Sequence, residues 1–253
     1  MGSQTYLSKV PEVTLGFWVI KIVATTLGEV GGNAVSLTLH LGYLIGTIIF
    51  FVPLIISVIL QIKAKAFSPF LYWAAITLTT LAGTTLADYF DRSLGIGYPG
   101  GSIALFSLVI ASLIAWKLSL GSIDIKTVYT PSAEVFYWIT IMFSQTLGTA
   151  LGDWLADSSG FGYNGSALVI GLVLCVIAFL YFRSKLSHVT LFWAAFILTR
   201  PLGATVANSL DKPIANGGLG INDLAATLAL TVLMVLCLFF IPQQAGAREG
   251  TNA

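Results

Sequence analysis

Apolar residues fall into two kinds of segment that alternate along the chain. Residues 44–60, 103–116, 167–182 and 224–241 contain no charged side chain, and almost every position is hydrophobic. Between these runs lie segments of similar length in which glycine, threonine and a few ionisable residues interrupt the apolar pattern. A helix crosses a hydrocarbon layer of ~30 Å with about 20 residues. Lipid offers no water to backbone amides, so only helices or a closed barrel satisfy them there. Continuous apolar runs, rather than period-two alternation, point to helices. The pattern predicts an all-α membrane protein with eight transmembrane helices, near residues 13–35, 40–61, 69–91, 100–118, 132–155, 164–183, 189–210 and 221–241. Ser68-Pro69 and Thr130-Pro131 have the form of helix starts, a capping residue followed by proline in the first turn.

The interrupted segments repeat. Trp18, Trp73, Trp138 and Trp193 each open one, and fifteen residues later stand Asn33, Asp88, Asp153 and Asn208. Gly28, Gly83, Gly148 and Gly203 lie between them, each followed four positions on by Gly32, Ala87, Gly152 or Ala207. Gly42-Tyr43, Gly97-Tyr98 and Gly162-Tyr163 form a further landmark, reduced to Gly220-Ile221 in the last copy. Four equally spaced matches indicate four two-helix repeats, near residues 10–62, 68–118, 130–183 and 188–241. A shift of 120 residues maps Pro11 onto Pro131, Trp18 onto Trp138, and Asp91-Arg92 onto Asp211-Lys212. The chain therefore reads as two duplicated halves, about 10–120 and 130–241, in a single transmembrane domain. Each half has an even number of spans, so the expected relation is a parallel pseudo-two-fold along the membrane normal.

Composition agrees: 57% of the 253 residues are apolar and 9% charged, with a mean hydropathy of +0.91. A net charge of +1 argues against a nucleic-acid partner. The first apolar stretch is full length without an evident cleavage site, which fits a span better than a cleavable leader. Basic residues set the orientation. Lys9, Lys63, Lys65, Lys117, Lys126, Arg183, Lys185 and Arg248 fall on the side of the termini, and Arg92 and Lys212 on the other. Both termini are expected in the cytoplasm. Cys175 and Cys237, each within an apolar run, read as small buried hydrophobes rather than a metal or disulfide pair. The four tryptophans read as an interfacial belt on the cytoplasmic side.

The uninterrupted spans are expected to face lipid, and the glycine- and threonine-bearing ones to form the centre of the bundle, where small residues let helices approach. On a helix, positions seven and eleven after each Trp fall within about 20° of it. They hold Thr25 and Glu29, Thr80 and Thr84, Gln145 and Thr149, Arg200 and Ala204. Asn33, Asp88, Asp153 and Asn208 continue these stripes toward the non-cytoplasmic face. Four central helices would thus each carry a polar stripe, and converging stripes would line a site. Ionisable residues at membrane depth are costly and usually functional. Lys21, Glu29 and Arg200 are the deepest, and Glu29 and Arg200 occupy adjacent layers that suit an ion pair between the first and fourth repeats. Lys21 lies two turns from Glu29, too far for an easy pair. Asp88 and Asp153 sit near helix C-termini, where the dipole disfavours negative charge; a bound cation would compensate, which makes them candidate metal ligands. Asp91-Arg92 and Asp211-Lys212 read as interfacial pairs. No catalytic signature is present, and no enzyme activity or cofactor is expected beyond a bound cation.

The Trp-bearing units, with Thr26-Leu27-Gly28-Glu29 and the later Gly-Tyr, resemble an uncharacterised bacterial integral membrane protein family defined by four tandem repeats of unknown function. The resemblance covers about residues 10–241 and implies a multi-pass protein of the bacterial inner membrane. It also implies that aspartate is common where this chain has Asn33 and Asn208, so two of four carboxylates are neutral here. Duplicated halves, buried charge and an acidic far face point to a membrane transporter of a cation or metal, with proton coupling through Glu29. An ion channel and a non-transporting scaffold or sensor are the alternatives, and Lys21 and Arg200 keep an anionic or organic solute open. The expected partners are the bilayer and a small ion or solute, and a homo-oligomer is compatible with the sequence.

Overall fold

The computed structural model describes residues 7–247. After a short strand β1 (Leu7–Pro11) come α1 (Leu15–Asn33), α2 (Gly42–Lys63), α3 (Pro69–Asp88), α4 (Tyr98–Leu120), α5 (Pro131–Ser158), α6 (Gly162–Arg183), α7 (His188–Asp211) and α8 (Asp223–Phe240), then strand β2 (Ala245–Ala247). Helices α1 and α3 run on into wider π-helical turns, Ala34–Thr38 and Tyr89–Ser93. Thr14, Thr130, Ser187 and Asn222 cap α1, α5, α7 and α8 through side-chain oxygens that accept backbone N–H bonds. Ser68 occupies the N-cap position of α3 but makes no such bond.

The recurring glycine before Tyr or Ile has a backbone cause. Gly42, Gly97, Gly162 and Gly220 all have positive φ, between 64° and 76°. That conformation costs an L side chain about 1–2 kcal/mol and glycine nothing. Each of these glycines turns the chain toward an even-numbered helix.

The odd helices stand side by side and parallel. Gly28 meets Thr80 and Gly32 meets Thr84, so contacts climb α1 and α3 together; Gly148 with Arg200 and Gly152 with Ala204 do the same for α5 and α7. One rule links all four helices. The glycine ten residues after each Trp packs on the residue seven after the next Trp: Gly28 on Thr80, Gly83 on Gln145, Gly148 on Arg200, and Gly203 back on Thr25. A Cβ on Gly203 would lie 2.6 Å from the Thr25 Cβ, and one on Gly28 would overlap Thr80 outright. Without a hydrophobic driving force between helices in lipid, such close backbone approach supplies the packing. The result is a closed inner ring, α1–α3–α5–α7–α1.

The even helices form an outer layer with the same cyclic order. α2 packs on α3, α4 on α5, α6 on α7, and α8 returns to cover α1. In their most apolar windows α1, α3 and α7 are 67%, 61% and 56% buried, whereas α2 is 22% and α4, α6 and α8 are 11% buried. The sequence expectation of polar helices inside and featureless ones outside holds. Among the described residues, seven helices are long and apolar enough to cross a membrane. The eighth, α5, is the longest at 28 residues but more polar, and its polar side chains turn inward. Cys175 departs from expectation: it is exposed on the outer face of α6.

The face carrying the termini is closed by a strap that the sequence reading did not foresee. β1 and β2 pair antiparallel, Leu7 opposite Ala247 and Pro11 opposite Ala245. Ser8 Oγ donates to Ile125 O (2.7 Å), and Lys9 N to Val128 O (3.0 Å), tying β1 to the α4–α5 loop. Lys9 Nζ reaches Glu134 Oε1 at 2.6 Å and also donates to Ile62 O at 2.9 Å. Arg248, counted above toward orientation, lies outside the described residues.

The tryptophans are not the expected lipid-facing belt. Trp73, Trp138 and Trp193 are buried, and Trp18 half-buried, in one aromatic core with Phe17, Tyr72, Trp116, Tyr137, Phe192 and Phe196. Outer helices and the strap cover this end of the inner ring, so the indoles serve packing. Two of their N–H groups find protein partners: Trp193 Nε1 donates to Ile123 O at 3.0 Å, and Trp73 Nε1 donates to Gln243 Oε1.

Candidate functional site

The stripe spacing of four residues stacks the inner ring into layers about 6 Å apart. Nearest the termini lies an aromatic layer of Phe17, Tyr72, Tyr137 and Phe192, in which the two tyrosine hydroxyls meet at 2.6 Å. Next come Lys21, Ile76, Ile141 and Phe196, then Thr25, Thr80, Gln145 and Arg200, then Glu29, Thr84, Thr149 and Ala204. All twelve are buried. Asn33, Asp88, Asp153 and Asn208 form the top layer, also buried.

The polar stripes converge as the spacing predicts. Arg200 Nη1 and Glu29 Oε2 are 3.1 Å apart, with side chains 0% and 2% exposed. Arg200 Nη2 donates to Thr84 Oγ1 (2.5 Å) and Thr149 Oγ1 (2.7 Å). Thr149 donates in turn to Glu29 Oε2 at 3.1 Å, across the ring from α5 to α1. Thr84 has Glu29 Oε2 at 3.3 Å and the Gly28 and Thr80 carbonyls at 3.1 and 3.0 Å within reach of its single proton. The guanidinium also faces the Thr25 and Thr80 carbonyls, each at 3.4 Å. Helices α1, α3, α5 and α7 therefore all contribute to one knot. Thr25 holds α7 as well, its hydroxyl lying 3.4 Å from Thr199 O.

Two members of the stripe stand apart. Lys21 Nζ makes no hydrogen bond and sits 3.8 Å from the centroid of the Phe196 phenyl. Gln145 packs against Gly83, and neither of its amide atoms has a partner.

The top layer corrects one expectation. Arg92 does not pair with Asp91. Its Nε lies 2.7 Å from Asp88 Oδ1 on its own helix, and its Nη2 donates to Asp153 Oδ2 on α5 at 2.9 Å. The Nε contact is close but off the N–H axis, so Asp88 Oδ1 gains charge compensation without an aligned hydrogen bond. Asn208 Nδ2 donates to Asp153 Oδ1 (3.1 Å), and Asn33 Nδ2 to Asp211 Oδ2 (3.2 Å), so Asp211 of the fourth repeat serves the first. Arg92 thus places a positive charge of the chain's own between Asp88 and Asp153, the two residues expected to receive a cation. Among the described residues no three His, Cys, Asp or Glu side chains group as a metal site. Arg92 was left out of the expected site, although its place four residues after Asp88 is the spacing of a helical ion pair.

The profile of the Repeat of Unknown Function (DUF347) matches this sequence four times, at residues 16–67, 71–121, 136–187 and 191–241. A search of curated proteins found no match, and a search of solved structures found none either. The chain belongs to this repeat family, and its four copies coincide with the four two-helix units of the structure.

Proposed function

We propose that this protein is a secondary transporter of a small cation, coupled to protons, in a conformation with both ends closed. Eight spans, parallel duplicated halves, cytoplasmic termini and a bacterial inner-membrane setting complete the proposal. The 28-residue length of α5 and the asymmetry of basic residues support those parts.

The observation that carries the cation reading is the Arg92 bridge. A guanidinium whose side chain is 39% exposed holds two almost fully buried carboxylates from neighbouring helices. It acts as a tethered substitute for a cation. A cation arriving from the far face would take Asp88 and Asp153 and release Arg92 toward solvent. One layer deeper, Glu29 would accept a proton and let go of Arg200, unlocking the knot that joins the four inner helices. Side chains that are buried at every layer of the axis favour this two-state exchange over a standing pore. The same residues could instead form a purely structural lock in a scaffold, and flux separates the two.

The test is cation and proton flux into proteoliposomes, paired with cation binding by thermal shift. Ligands of the native state raise its stability with concentration. Arg92→Met should tighten binding of the transported cation, because its tethered competitor is gone, and Asp153→Asn should weaken it. No cation or proton flux under any gradient would remove the transporter. Flux of an ion whose affinity is unchanged in Arg92→Met would remove the role given to Arg92.

A further inference from the structure

The knot above Gln145 leaves three polar groups below it unserved. Lys21 Nζ, both amide atoms of Gln145, and Arg200 Nε have no hydrogen-bond partner, and all three residues are 0% exposed. A buried polar group left unpaired costs about 1–3 kcal/mol, more when charged. Such groups in a native protein call for a partner such as a bound ion or water.

The three belong to consecutive layers of one interior. Thr149 reaches Glu29 across the ring, so the stripes of α5 and α1 meet at the axis. Gln145 lies one turn below Thr149 on that stripe, and Lys21 two turns below Glu29. Side chains on a helix lean toward its N-terminus, which carries the Gln145 amide down toward the Lys21–Phe196 layer. Arg200 follows Phe196 by one turn on α7, and Lys21 Nζ rests against the Phe196 phenyl. That contact covers one side of the ammonium and leaves its other protons free.

Donors and positive charge are both in excess. Lys21, Arg200 Nε and the Gln145 amide together offer six N–H bonds against one free acceptor, Gln145 Oε1. From the Lys21 layer up to the Glu29 layer, two cations, Lys21 and Arg200, face one carboxylate, Glu29, and the Asp88 and Asp153 carboxylates of the layer above are held by Arg92. We propose that the interior between the Lys21–Phe196 and Gln145–Arg200 layers binds one small monovalent anion, of the size of chloride or formate. The Lys21 ammonium neutralises it, and Arg200 Nε and the Gln145 amide direct donors at it. The anion adds a second negative charge to these layers and gives Arg200 Nε the partner it lacks. Binding there requires no flux, so the site stands or falls apart from the transport reading.

The experiment uses the full chain in detergent at constant ionic strength, with gluconate replaced stepwise by chloride, bromide, formate or sulfate. Thermal unfolding should show a saturable rise with chloride, bromide and formate, and none with sulfate. Lys21→Met should abolish the dependence, and Gln145→Leu should weaken apparent affinity about tenfold. Should Lys21→Met fail to fold, broadening of the chloride NMR line by the unmodified protein, reversed by bromide, takes its place. Equal unfolding temperatures in chloride and gluconate, dependence retained in Lys21→Met, or an unbroadened chloride line would each overturn the proposal.

Discussion

Arg200 and Glu29 illustrate how one residue pair can carry a whole interior. Both are buried, and the two threonine hydroxyls that bridge them also join α3 and α5 to α1 and α7. Removing one partner strands the other charge in a medium that cannot solvate it, at a cost of about 3–5 kcal/mol. Glu29→Gln and Arg200→Met should therefore each lower the unfolding temperature sharply in detergent, whereas the double variant should recover much of the loss. A double variant as unstable as the sum of the singles would show that the two do not act as a pair. This pair was legible in the sequence, because the repeat spacing fixed the layers and only two complementary charges fell at that depth. The Arg92 bridge was not, since its choice between Asp91 beside it and Asp88 a turn away depends on where α5 places Asp153. Lys21 was correctly read as too far from Glu29, but its seat on Phe196 depends on a neighbouring helix.

Among elements, the helix-to-helix steps of the inner ring rest on absent side chains. Gly148 has Arg200 where a Cβ would be, and Gly171 on α6 has nothing within 4 Å. Gly148→Ala should destabilise by about 1–3 kcal/mol through forced displacement of α7. Gly171→Ala should be neutral or stabilise by up to about 1 kcal/mol from helix propensity alone. Equal unfolding temperatures for the two would refute the packing role. The division into inner and outer helices could be read from where glycine, threonine and charge interrupt the apolar runs. The tryptophans misled because residue type alone cannot say which way an indole at a helix end points. Here aromatic side chains beside them, at Phe17, Tyr72, Tyr137 and Phe192, draw them into one core. The π-helical turns after α1 and α3 had no sequence signal either, and α5 and α7 lack them at the corresponding positions.

At the scale of the molecule, the strap decides what happens at the terminal face. Lys9 ties β1 to Glu134, which is 1% exposed, and to backbone carbonyls at the end of α2. Lys9→Met should leave Glu134 buried and unpaired, lower stability by about 2 kcal/mol, and increase proteolysis within residues 7–11. Lys9→Arg should keep most of it, and unchanged proteolysis in Lys9→Met would show that the strap is held without this pair. Nothing in the sequence announced the strap, since five residues with no marked alternation pair with three near the other end of the chain. Four repeats were plain to read, and the first and fourth were expected to meet through Glu29 and Arg200; that α8 also covers α1, closing the outer layer in the same circle, was not, because a linear pattern of copies fits a row as well as a circle.

That closure bears on where the polypeptide needs to be cut. α8 covers α1 just as α2 covers α3, and β1 and β2 already lie side by side. The closed ring of contacts has no first repeat, and a circular permutant should assemble. With β1 and β2 joined by a short linker and new ends opened at Gly121, where a Cβ would meet nothing within 4 Å, every ring contact is retained. Ends on the surface that lie close together are where such permutation succeeds. In the natural order, Glu29 is inserted long before Arg200 is synthesised. The permutant reverses the order of the two, so its yield in membranes, compared with the parent's, would reveal how long a lone buried carboxylate can wait for its partner.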